Sequence, residues 1–181
     1  MAKAFDPRRL DLRRFAEEAG QLASEDPLSG FGRLYAETGH QQGERLVRWS
    51  AQGELRQSER PQPQVWMHLQ AEALLPLVCQ RCLQPVEVPV AVDRRFRFAP
   101  DEQTAASEDD EAEEEVLAFS RQFDLLELVE DELLMDLPVA PRHEACPESV
   151  KMSAADPAFH LAEATRENPF SVLGRLKTSK R

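Results

Sequence analysis

Apolar and polar residues alternate along the middle of this chain. In ERLVRWSAQGEL, Val47, Trp49 and Ala51 alternate with Arg48, Ser50 and Gln52. In VWMHLQAEA, Val65, Met67, Leu69, Ala71 and Ala73 alternate with Trp66, His68, Gln70 and Glu72. In VEVPVAVDRRFRF, Val86, Val88, Val90, Val92, Phe96 and Phe98 share one face, broken only by Arg94. A period of two sustained this far predicts half-buried antiparallel strands, so residues 30–99 read as a meander. Pro89 cannot donate to a ladder, which predicts an edge or a bulge at that point. His68 falls on the polar face and is expected at the surface.

Elsewhere the period is helical. DPRRLDLRRFAEEAGQL (6–22) carries an apolar stripe of Leu10, Phe15, Ala19 and Leu22, with Pro7 suited to a first turn. FDLLELVEDELLMDLP is the strongest helix pattern. Asp124 and Glu127 are spaced as a capping box, Leu126, Val129, Leu133 and Leu137 recur at helical spacing, and Pro138 stops it. Glu127, Glu130, Asp131 and Glu132 on its other side read as a solvated face, not as catalytic carboxylates. A short third helix is expected where NPFSVLGRLK places Phe170, Leu173 and Leu176 on one stripe ahead of Lys177.

Charge separates these segments. The net charge is −11 over 181 residues, and PDEQTAASEDDEAEEE (100–115) alone holds nine acidic and no basic residues. With nothing there to bury, a disordered acidic loop is expected over 100–116. The resulting organisation is an N-terminal helix and connector (1–29), a β-rich half (30–99), the acidic loop (100–116), a strand or helix with a proline-rich HxxC loop (117–150) and a tail (151–181). The expected fold class is α+β, with one main helix laid on the strand-rich half. No apolar run reaches the length of a signal-peptide centre or a membrane span, so a soluble cytoplasmic protein is expected.

An acidic total argues against a simple nucleic-acid glove, yet basic residues cluster locally. Arg8, Arg9, Arg13 and Arg14 crowd the first helix. Arg94, Arg95 and Arg97 sit in DRRFRF, and the tail ends in basic residues. These are the candidate contacts for phosphate or a partner, with Phe170, Leu173 and Lys177. Phe96 and Phe98 share the face of the valines and read as core.

Cys79 and Cys82 form the pair CQRC between two predicted strands, and His143 and Cys146 follow as H-x2-C in a loop bounded by Pro138, Pro141 and Pro147. Three cysteines are too few for a disulfide framework. A C-x2-C hairpin tip with an H-x2-C partner supplies the four ligands of a structural zinc site, which leaves no open position for catalysis. Three readings remain open at this level: structural zinc on Cys79, Cys82, His143 and Cys146, a redox pair, or buried thiols.

The phrases FDPRRL, CQRCLQPVEVPV, FDLLELVEDELLMDLPVAPRHEAC and NPFSVLGRLK, in that order, resemble the YceD family of large ribosomal RNA subunit accumulation proteins. The resemblance implies a cytoplasmic, non-enzymatic factor needed for synthesis, processing or stability of 23S rRNA in large-subunit assembly. Its partners would be the rRNA precursor or assembly and processing proteins, with no membrane or small-molecule substrate. The family's cysteine pair falls on Cys79 and Cys82. The competing class is a zinc- or thiol-dependent hydrolase or oxidoreductase using that pair, against which no nucleophile elbow, phosphate loop or HExxH motif is present.

Overall fold

A computed structural model of the chain describes residues 5–57, 63–110, 112, 114–148 and 170. The chain divides into two compact units, Met1–Ala145 and Cys146–Arg181. Within the second, only 146–148 and 170 are described. The expected terminal helix, including Leu173 and Lys177, lies outside the described residues, and Phe170 is exposed.

The first unit is α+β, as expected. Its elements in chain order are α1 (Leu12–Glu17), β1 (Gln21–Pro27), α2 (Gly32–Glu37), β2 (Leu46–Arg56), β3 (Gln64–Val78), β4 (Pro85–Ala99), α3 (Glu102–Asp109), β5 (Glu115–Ala118) and α4 (Leu125–Met135). The strands make one sheet in the order β1-β2-β3-β4-β5. The first three pairings are antiparallel, and the last, of β4 with β5, is parallel.

The alternating residues are buried as the pattern required. Val47, Trp49, Ala51, Met67, Leu69, Ala71, Val90, Val92, Phe96 and Phe98 line the covered face. α1 packs on β2 and β3, and α4 packs on β3 and β4 while touching α2. Leu125, Val129 and Leu133 of α4 are fully buried. Each such side chain is worth about 1.5–3 kcal/mol, several times any difference in helix propensity, so docking is what fixes α4. Asp124 caps it by accepting from the backbone N–H of Leu126 and Glu127.

Four expectations are corrected. The first helix is shorter than 6–22. Asp11 caps it by accepting from Arg14 N–H, while upstream Leu10 exchanges backbone hydrogen bonds with Phe123. It ends because Ala19 turns to φ 48° and Gly20 meets the Phe15 ring so closely that a Cβ there would lie 2.4 Å from it. The strand-rich region therefore opens at Gln21 and is interrupted by α2. The acidic segment expected to be disordered contains α3 and leads into β5. Asp101 caps α3 through Thr104 N–H, and Arg97 of β4 grips Glu108 and Glu114.

The polar side of α4 is not uniformly wet either: Glu130 and Glu132 are buried. Glu130 Oε1 accepts from the backbone N–H groups of Arg33 (2.6 Å) and Leu34 (3.1 Å) at the start of α2, and Oε2 accepts from Arg33 Nε (3.1 Å). Glu132 lies 3.0 Å from Arg94 Nε, which explains why an arginine interrupts the apolar face of β4.

The side of the sheet formed by β4 and β5 is blunted. Pro89 offers no N–H there, Ala91 N–H donates to Asp136 at 3.0 Å, and Val116 N–H donates to Asp109 at 2.8 Å. Pro89 is thus on an edge, as its position in the pattern predicted.

Candidate metal centre

β3 and β4 are joined by a six-residue loop holding the C-x2-C pair. Cys79 N–H donates to Gln84 carbonyl and Leu83 N–H to Cys79 carbonyl, both at 2.9 Å, closing a tight turn. Leu83 takes φ 60°, the left-handed conformation that brings the chain back onto β4. α4 delivers the second loop. Past its end, Pro141 carbonyl accepts from Gln80 N–H at 2.8 Å, and the Arg81 guanidinium donates to His143 carbonyl at 2.9 Å. The two loops are stitched together by backbone groups before any ligand atom is considered.

The four donors the spacing singled out come together. The ligand atoms of Cys79, Cys82, His143 and Cys146 all lie within 4.8 Å of one another, and no disulfide joins the cysteines. A tetrahedral zinc with sulfur at about 2.3 Å and nitrogen at about 2.0 Å needs ligand-to-ligand edges of roughly 3.5–3.8 Å. Cys82 Sγ to His143 Nδ1 is 3.4 Å. The set is near that size, and contraction by about an ångström would close its longest edge.

Two further features suit a cation. His143 Nε2 lies 2.9 Å from Pro85 carbonyl, an acceptor only, so Nε2 carries the proton and Nδ1 turns its lone pair toward the sulfurs. At Cys79, burial pushes the thiol up. The backbone N–H groups of His143, Cys82 and Arg81, with the Cys82 side chain, outweigh it and bring the group from 9.0 to about 5. Peptide donors from both loops are aimed at one sulfur, an arrangement that stabilises a thiolate. This Cys3His cluster could hold a metal ion.

The remaining sequence candidates are dispersed. Arg13 pairs with Glu17 at 3.1 Å and Arg14 with Glu18 at 2.7 Å along α1, and Arg8 lies 3.9 Å from Asp124. Of DRRFRF, Arg97 is buried between Glu108 and Glu114, and Arg94 bridges Glu132 and Glu115. Arg95 is exposed on the open face. What sequence reasoning missed at the metal cluster is Arg81. Nothing in its spacing announces that a residue between two cysteines clamps the opposite loop.

A family model described as large ribosomal RNA subunit accumulation protein YceD matches residues 67–177, a span containing all four donors. A curated relative from Haemophilus influenzae (strain ATCC 51907 / DSM 11121 / KW20 / Rd), itself named large ribosomal RNA subunit accumulation protein YceD, is 31% identical over 122 residues. That alignment covers 65% of this chain and 68% of the relative. No solved structure matches.

Proposed function

The chain belongs to the YceD family of large ribosomal RNA subunit accumulation proteins, and from that premise we propose that it is a cytoplasmic, non-enzymatic factor supporting 23S rRNA in large-subunit assembly. Family membership carries this reading. It acts by binding, either the rRNA precursor or the proteins that assemble and process it. Cys79, Cys82, His143 and Cys146 hold a structural zinc ion, which ties the β3–β4 loop to the loop after α4. The convergence of three thiols and an imidazole whose far nitrogen is engaged by Pro85 supports zinc over inert thiols.

At Cys79 an enzymatic role is disfavoured by burial. Cys79 has no exposed surface, so its sulfur has no open path to a substrate. No helix among the described residues is long and apolar enough to cross a membrane.

The test is a ribosomal-subunit profile from cells lacking the gene, with and without the chain supplied in trans. The expected result is a shortage of large subunits and 23S rRNA, restored by the wild-type chain. Normal profiles in its absence would refute the biological reading whatever the metal content.

A further inference from the structure

The face of the sheet opposite the helices is open and polar, and one corner of it is unlike the rest. Trp66 of β3 stands between Glu54 of β2 and Arg97 of β4 in the register, and the next row sets Gln52, His68 and Arg95 side by side. Arg56 lies flat on the indole, its guanidinium carbon 4.2 Å from the ring centroid. A cleft of ≈ 570 Å³ runs beside these side chains.

The charges facing this cleft are largely spent on one another. Glu54 accepts from Arg56 at 2.9 Å, Asp93 is held by His68 at 2.6 Å and by Gln70 at 2.9 Å, Glu115 faces Arg94, and Glu114 faces Arg97. Arg95 makes no ion pair among the described residues, although Glu54 and Asp93 lie near enough to feel its charge, so its guanidinium remains open to an anion beside an aromatic platform. The Trp66 indole N–H is buried with no hydrogen-bond partner, a donor whose desolvation is uncompensated.

We propose that this corner is a binding site for single-stranded RNA, with one base stacked on the Trp66–Arg56 layer and the adjoining phosphate held by Arg95. The proposal deepens the function given above by locating its RNA contact, and it rests on that reading. Planar guanidinium over indole is a surface on which any base can continue the stack, and every base has such a face. A duplex, whose bases are already stacked on each other, gains nothing from such a platform. A protein partner would not need the indole to be accessible to a flat ring.

The test uses the full chain with labelled oligouridylate, oligoadenylate and an RNA duplex, read by fluorescence anisotropy and by quenching of tryptophan emission. Of the two tryptophans, Trp49 is buried and engaged with Asp26, so quenching reports Trp66. Single strands are expected to bind and to quench. Arg95→Glu and Trp66→Leu should each weaken binding about tenfold or more, and Trp66→Phe should recover most of the loss. Circular dichroism confirms folding, and exposed Arg95→Glu is the variant least able to disturb it.

Binding that survives Arg95→Glu and Trp66→Leu but falls with Arg13→Glu plus Arg14→Glu would overturn this site and leave the family function standing. Equal affinity for duplex would also overturn it. So would a wild-type chain that binds no RNA at low salt; the subunit profile tests the wider function separately.

Discussion

Glu130 turns the start of α2 into part of α4, and its removal has a calculable cost. α2 begins after Phe31, which offers no side-chain cap, so the N–H groups of Arg33 and Leu34 depend on the Glu130 carboxylate at 2.6 and 3.1 Å. A lost helix cap costs about 1–2 kcal/mol, and a hydrogen bond to a charged partner about 1.5–3 kcal/mol. These describe the same contacts and do not add in full. The half-exposed Arg33 side chain adds little, because water screens it. Glu130→Ala should therefore cost about 2–3 kcal/mol, and Glu130→Gln, which keeps one acceptor oxygen, about 1 kcal/mol.

For a unit of this size each kcal/mol moves the melting midpoint by roughly 2–4 °C, so Glu130→Ala should melt about 5–10 °C lower. Urea denaturation followed by circular dichroism measures the difference directly. The midpoint should fall with the slope unchanged, since the same surface unfolds. A Glu130→Ala midpoint within error of wild type would refute the reading that this carboxylate caps α2. It would return α4 to the wet-faced helix its sequence suggested.

Three more outcomes follow from the geometry. Protein purified without added metal should carry about one zinc per chain, lost in Cys82→Ser and in His143→Ala; elemental analysis that finds none in wild type removes the site. Burial, and then Glu115, push the Glu132 carboxyl up against the opposing pull of Arg94. A raised folded-state value means stability that is complete below the unfolded pKa of about 4.3 and declines as pH rises through the folded value. Glu132→Gln should accordingly gain stability over wild type at neutral pH, the gain shrinking toward pH 4 in urea titrations; a gain that grows on acidification contradicts this. Gly53→Ala should cost about 1–3 kcal/mol, because its Cβ would sit 2.7 Å from the Phe15 ring and 2.8 Å from Phe15 carbonyl; an unchanged melting midpoint would mean α1 can retreat from β2.

Much of the fold was legible because its forces are periodic. The alternation in Val47–Ala51 and Met67–Ala73 marks the buried face whatever lies across it, and the Asp124 cap and leucine stripe are local. What stayed hidden depends on partners far along the chain. QLASEDP has no apolar alternation of its own and becomes β1 by pairing with β2. GRLYAE has no cap of its own because Glu130 supplies it. The acidic α3 buries only Ala105, and its Glu108 is held by Arg97, a residue whose sequence setting suggested phosphate instead. At the metal cluster the ligand types and spacing could be read directly. The peptide N–H groups aimed at Cys79 could not, since every residue carries one and only the folded loops decide where it points.

The carboxylates of Asp109 and Asp136, together with Pro89, guard the side of the sheet formed by β4 and β5. A foreign backbone laid along that side meets three positions with no donor to give, because Pro89 has no N–H and those of Ala91 and Val116 are already taken. Sheet extension there is discouraged, a useful protection where nascent polypeptides crowd together with their backbones still unmatched.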